Sequence, residues 1–220
     1  FTACSPKTLK NLSNEFKNIQ DNAMQDLLEP INDQIAWITG SQVCYCAEAF
    51  QGVSRQHPDA AALSVLATVL RNGFLHTAIR EKGGAYGAGA INDTATNTFK
   101  FFSYRDPKCS ETFSAFREAI EWSKTSITDQ HLEEAILGVV SSIDKPLSPV
   151  GEAKNDFNFN LEDISTKERL EMRQRVINCS IDDLIRVSEK YLTKPSKKSI
   201  LAGKAYSEEA SSLGLNLREV

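Results

Sequence analysis

Apolar and polar positions along this chain follow two different periods, and the changes between them mark the elements. Residues 34–39 and 42–49 are two apolar stretches separated by Gly40. In the second, Val43, Tyr45, Ala47 and Ala49 alternate with Cys44, Cys46 and Glu48, the period of two that a half-buried strand shows. After Pro58 the period becomes helical. Leu63, Leu66, Ala67 and Leu70 share one face, and Val65 and Val69 widen it into the broad stripe of a deeply buried helix. Asn72-Gly73 is expected to break or kink that helix, with a shorter helix over about 74–81 that ends at Gly83-Gly84. Two further strands are expected at 86–91 and 99–104, joined by the hairpin loop Asn92-Asp93-Thr94-Ala95-Thr96-Asn97.

Helices follow at about 110–123 and 129–143. The second carries the cleanest stripe in the chain (Leu132, Ala135, Ile136, Val139, Val140, Ile143), and Ser126 or Thr128 is its expected cap. Residues 145–149 form a proline-bounded linker before helices at about 151–161, 166–176 and 181–192, the last capped by Ser180. A strand at 199–205 and a short helix at 207–213 close the pattern. Near the start, Ser5-Pro6 opens a helix expected to reach about Lys17, followed by a polar surface connection over 21–33. Hairpins and helices without regular βαβ alternation indicate an α+β fold, an antiparallel sheet with helices packed on one face. The expected division is a main sheet-and-helix part over 1–144 and a helical part with the final strand over 145–220.

The 220 residues are 41% hydrophobic and 25% charged, enough for a sizeable core. A net charge of -4 lacks the basic footprint of a nucleic-acid or anionic-membrane partner. No apolar run in the sequence approaches the roughly 20 residues of a membrane span. Phe1-Thr-Ala-Cys-Ser5 reads as the end of a strand, so the chain is expected to begin inside a longer parent. Five cysteines, none in a CxxC pair, read as buried or half-buried thiols of a reducing compartment or organelle matrix.

Three histidines limit the metal chemistry. His131-Leu132-Glu133-Glu134-Ala135 is half of an inverted zinc motif, H-x-x-E-H, but Ala135 stands where the second imidazole must be. No metal or other cofactor is expected in this chain. No G-x-S-x-G occurs, and nothing in the sequence pairs a cysteine with a histidine, so a nucleophile with its base is not expected either. Gly83-Gly84-Ala85-Tyr86-Gly87-Ala88-Gly89 is glycine-rich but follows a helix and opens a strand, the reverse of a phosphate loop. Its small residues suit either close approach of another backbone, such as an extended peptide, or tight packing within the sheet. Arg80 has a helix-end explanation, and Tyr86 could serve only as a strand aromatic.

The run from Asn72 to Gly87, Asn-Gly-Phe-Leu-His-Thr-Ala-Ile-Arg-Glu-Lys-Gly-Gly-Ala-Tyr-Gly, resembles the signature of the last domain of presequence protease-like peptidases. These form the single-chain branch of the pitrilysin/insulinase superfamily. Trp37 to Ala47 upstream and Ser103-Tyr104-Arg105-Asp106-Pro107 downstream agree in order and spacing. The resemblance implies a clamshell of four related α+β domains around a chamber, the zinc and the glutamate base lying in the first domain. It implies that the last domain reaches across with an arginine and a tyrosine, by position Arg80 and Tyr86, while Gly87, Ala88 and Gly89 line the bound peptide. The expected partners are a peptide substrate and the N-terminal domains of the same parent; the chain alone is expected to be inactive and to self-associate. The alternatives are a non-catalytic partner or scaffold subunit of a processing-peptidase-like complex, and a nucleotide-binding module, which the helix-then-strand order disfavours.

Overall fold

Alternation of side chains across a pleated strand explains most of the central sheet. In the computed structural model, which describes residues 33–220, β1 spans Ile35–Thr39, β2 Cys44–Gln51, β3 Gly87–Asp93, β4 Thr98–Asp106, β5 Lys197–Gly203 and β6 Asn216–Glu219. Their order across the sheet is β3-β4-β2-β5-β1-β6. The sheet is antiparallel across β3, β4, β2 and β5, as the hairpin pattern implies, and turns parallel where β1 sits between β5 and β6. The α+β class therefore holds, with the late strand β5 inserted between the two earliest ones. The helix expected from Ser5 and most of the polar connection after it lie outside the described residues.

The helices are α1 (Ala60–Leu70), α2 (Ser110–Thr125), α3 (Asp129–Ile143), α4 (Pro149–Leu161), α5 (Thr166–Ile177), α6 (Ile181–Leu192) and the short α7 (Ser207–Ser212). Thr128, Ser148, Ser165 and Ser180 cap α3 to α6 through their hydroxyls, each satisfying a backbone donor that the first helical turn leaves unpaired. α1 lies buried against β3, α3, α5 and α6. Aromatic residues join the helix layer to the sheet: Phe101 of β4 stacks on Phe116 of α2 at 5.3 Å and meets Phe50 of β2 edge-on at 6.0 Å.

Three features are corrected or supplied by the structure. Asn72-Gly73 does not break the helix; the rod continues from α1 without interruption but changes winding, running as a π-helix over Arg71–Glu81. Gly73 serves close packing instead, since a Cβ there would sit 2.6 Å from the Trp122 ring. This continuous rod, Ala60–Glu81, is also long and apolar enough by composition to cross a membrane, which the sequence reading missed, but its apolar residues form the protein core. Second, the face of β2 turned toward the helices carries Cys44, Cys46, Glu48 and Phe50. Glu48 is tolerated there because Arg117 and Ser196 both donate to its carboxylate. Third, β6 was not expected. Its four residues are all exposed and include two charges, so no period of two marks it. It is held by parallel pairing to β1, and Arg218 bonds Asp33 at 3.2 Å.

The opposite face of the sheet has no helix over it within the described residues. Tyr45, Tyr104 and Leu201 stand exposed on it, with Leu217 exposed on β6. Such a contiguous apolar face favours association. The chain on its own is expected to bind an apolar-sensing dye and to run larger than a monomer in light scattering. A dye-silent monomer at high concentration would contradict this.

One ionic cluster fastens the start of α1 to α6. Asp59, almost fully buried, accepts 2.7 Å bonds from Arg186, Lys190 and the Tyr191 hydroxyl. Burial alone would raise its carboxyl, but the bonds from Lys190, Tyr191 and Arg186 override it and hold the group well below its ordinary 3.8. A depressed carboxylate stabilises the fold above its unfolded value and loses that contribution as pH falls toward the folded one. Asp59→Asn is therefore expected to cost about 2 kcal/mol at neutral pH, modest because Arg186 and Lys190 recover water. The difference from wild type should shrink below about pH 4 in denaturant titrations. A gap constant with pH would show that the charge of Asp59 is not what holds α1 to α6.

Candidate functional site

The change of winding at Arg71 decides which side chains meet at the end of the rod. In an α-helix, residues five apart point about 140° away from each other. In the π-helix each N–H reaches back five residues, and residues at that spacing lie one above the other. His76 thus meets both Arg80 and Glu81: its Nε2 lies 2.9 Å from Arg80 Nη1 and its Nδ1 3.3 Å from Glu81 Oε1. A guanidinium only donates, so Nε2 is the acceptor, which leaves Nδ1 to carry the proton, 3.3 Å from the Glu81 carboxylate. The chain Glu81–His76–Arg80 fixes the imidazole and steers the guanidinium.

The rod ends in a tight reversal. Lys82, Gly84 and Ala85 donate their N–H groups to the carbonyls of Thr77, Arg80 and Ile79. Gly84 lies at φ +85°, and a Cβ on Gly83 would sit 2.4 Å from the Ile79 oxygen, so both positions need glycine. The next residue after Ala85 is Tyr86, which this turn sets beside the end of the rod. Its backbone N–H bonds the Arg105 carbonyl at 3.2 Å, its ring packs on Tyr104 at 5.5 Å, and the Arg105 guanidinium lies 5.7 Å over its face. Arg105 reaches that place through a left-handed backbone at φ +48°, sparsely populated for a residue with a side chain. The Tyr86 ring is 64% exposed, and its hydroxyl has no hydrogen-bond partner among the described residues.

Arg80 and Tyr86 consequently line one open depression of about 730 Å³ with His76, Glu81 and Arg105. Two guanidiniums, an imidazole and a free phenol face a single carboxylate there, a balance that suits carbonyl oxygens or developing negative charge. His76, Glu81 and Arg105 were given no role by the sequence reading. The four-residue spacing of His76 and Arg80 was a visible signal for one of them; the left-handed turn at Arg105 left none.

Gly87, Ala88 and Gly89 begin β3, which stands at one end of the sheet with one edge unpaired among the described residues. Their smallness has a local cause. A Cβ on Gly87 would sit 2.4 Å from the Tyr104 ring, and one on Gly89 2.9 Å from Phe102, so these rings of β4 lie across the glycines. The part of β3 open to a second chain is its edge, not that face.

The other candidate chemistry resolves into structure. His131 completes the cap of α3 with Thr128 and packs on Trp122 at 5.2 Å, while Ala135 is in the core. His57 Nδ1 accepts from the Asp59 N–H. Cys44, Cys46, Cys109 and Cys179 are free and buried, and burial pushes the Cys179 thiol up to about 12. No group of His, Cys, Asp and Glu that could hold a metal ion occurs among the described residues.

A sequence family described as the PreP C-terminal domain matches residues 38–201. The chain belongs to this family. The chain is 41% identical over 157 residues to a mitochondrial presequence protease of Eremothecium gossypii, with 70% of this chain and 16% of the relative covered. The corresponding protein of Xenopus tropicalis is 40% identical over 152 residues, covering 69% of this chain and 14% of its own length. The chain thus spans about a sixth of the curated relatives it matches. Among solved structures, a protease from Helicobacter pylori superposes with a TM-score of 0.66 at 18% identity, over 91% of this chain and 53% of the other. Pitrilysin superposes at 0.59 and 13% identity, over 85% of this chain and 22% of the other. The inactive domain of an M16 peptidase from Pseudomonas fluorescens gives 0.60 at 16% identity, over 80% and 46%. These likenesses show that the chain shares the fold of these structures.

The packing over Gly87 generates a test. Tyr104 is partly exposed and its ring can swing aside, so Gly87→Ala should cost under about 1 kcal/mol of stability. Its main effect should be loss of the Tyr86–Tyr104 contact, read as a change in tyrosine ring shifts by NMR. Unchanged shifts in the folded variant would mean that Tyr104 does not hold Tyr86 in place.

Proposed function

We propose that this chain is the substrate-gripping C-terminal domain of a zinc metalloendopeptidase that degrades short unfolded peptides, with Arg80 and Tyr86 acting on the bound peptide. The described residues do not fit a zinc site: the three histidines lie apart and each is engaged with neighbours of another kind. The metal would therefore belong to an N-terminal domain of the parent, where it would supply Lewis-acid activation of the reacting groups. In this chain, Arg80 would bind a substrate carbonyl, held toward it by His76. Tyr86 would donate its hydroxyl proton in a hydrogen bond to the oxygen on which negative charge develops. The edge of β3, beginning at Gly87, would pair with the extended peptide and carry it past both residues.

The observation that carries this reading is the convergence of an oriented guanidinium and an unengaged phenol in one depression at the head of an edge strand. A scaffolding domain would need neither a phenol left without a partner nor an arginine held out to solvent. The presequence proteases it resembles supply the reaction class.

In the full-length parent, Tyr86→Phe removes one hydrogen bond and almost no volume. Turnover is expected to fall about a hundredfold or more, about 3 kcal/mol, with the loss mainly in kcat because the charge exists only in the transition state. Arg80→Ala should raise KM as well. Zinc content should not change in either variant. Turnover within about threefold of wild type in folded, zinc-loaded Tyr86→Phe would remove Tyr86 from the mechanism.

A further inference from the structure

Beyond the Arg80–Tyr86 depression, β3 leads to a second cavity of about 360 Å³. It lies where the last residues of β3 meet α1, α3 and α5, and it is lined by Arg55, Arg71, Ser64, Thr68, Asn92 and Ser142 among others. No carboxylate lines it. Neither guanidinium has a hydrogen-bond or ion-pair partner among the described residues. The Arg55 guanidinium lies 5.8 Å over the ring of Phe159, and its Nε is buried with nothing to donate to. Arg71 lies across β3, its Cδ 3.6 Å from where a Cβ on Gly89 would stand. Asn92 donates to the Ala60 carbonyl and to Ser64 Oγ, both at 3.1 Å, while its Oδ1 is buried without a partner.

A buried polar atom without a partner is costly, and here an orphan donor and an orphan acceptor border the same space. Two guanidiniums favour a carboxylate. A bare anion would leave Asn92 Oδ1 unmet, because that atom needs a donor. The end of a peptide offers both: a carboxylate, and the N–H of its last residue. Asn92 lies six positions after Tyr86, about 20 Å of extended chain.

We propose that this cavity receives the C-terminal carboxylate of a peptide lying along the free edge of β3, with Arg55 and Arg71 donating to the carboxylate and Asn92 Oδ1 accepting from the terminal N–H. The proposal rests on the peptidase reading above. It adds a ruler: substrates whose C terminus lies about six residues beyond the point facing Tyr86 are gripped at both ends of the strand.

The test uses the full-length parent and three peptides of that length that differ only at the end: a free acid, an amide, and an amide whose last residue is Glu. Wild type is expected to show a KM about tenfold lower for the acid than for the amide. Arg71→Gln, a change at an exposed side chain, and Arg55→Gln should each abolish most of that preference and leave kcat on the amide unchanged. Equal KM values for acid and amide in wild type would overturn the proposal, as would a preference that survives both substitutions. Recovery of the low KM by the Glu-ended amide would reassign the cavity to side-chain carboxylates and overturn the terminal assignment. Tyr86→Phe on the amide peptide keeps the two readings apart: full turnover there defeats the catalytic-site reading, whereas only the acid–amide comparison bears on the cavity.

Discussion

The site depends on one backbone constraint, the reversal at Gly83-Gly84 that closes the rod. Three carbonyls near the end of the rod, those of Thr77, Ile79 and Arg80, are taken up by N–H groups of Lys82, Ala85 and Gly84. The geometry needs a left-handed residue and a position with no Cβ, and the sequence supplies two glycines. Because the turn is that short, the last helical arginine and the first strand tyrosine face one depression. A wider connection would place the same two side chains on separate elements with no fixed relation. The π winding upstream contributes the second half of the constraint, since it stacks Glu81 over His76, which also holds Arg80 four residues on.

The rest of the fold packs around this corner. The rod enters as α1, buried on nearly every side, with Asp59 clamped to α6 at its first turn and Gly73 set against Trp122 midway. Tyr86 is held from the strand side by Tyr104, whose ring lies over Gly87. The glycines of β3 make room for the aromatic rings of β4 on one face of the strand. Hydroxyls that cap α3 to α6 meet purely local demands.

Much of this was legible in the sequence. The stripe Leu63, Leu66, Ala67 and Leu70 specified a buried helix, and α3 and α6 appear with the bounds their periodicity and caps indicate. The run from Asn72 to Gly87 carried the family resemblance, and with it the pairing of Arg80 and Tyr86. Other features were hidden for physical reasons. Asn72-Gly73 reads as a break because both residues disfavour helix, yet tertiary packing of Trp122 against Gly73 overrides local preference. Which face of β2 is buried could not be read from its alternation, because Glu48 becomes acceptable only when Arg117 and Ser196 arrive from distant segments. β6 has no apolar period and exists through its pairing with β1. Glu81 and Arg105 join the site through helix winding and a left-handed turn, neither of which has a compositional signal.

The central claim is that the corner formed by Arg80 and Tyr86 contacts the peptide beside its scissile bond. The most direct measurement places a photoreactive residue next to that bond in a short peptide, binds it to the zinc-depleted full-length parent, irradiates, and maps the cross-link by mass spectrometry. The account predicts attachment within residues 76–89 of this chain, lost when excess unlabelled peptide competes. Cross-links found only in other parts of the parent, with this segment unlabelled, would contradict it.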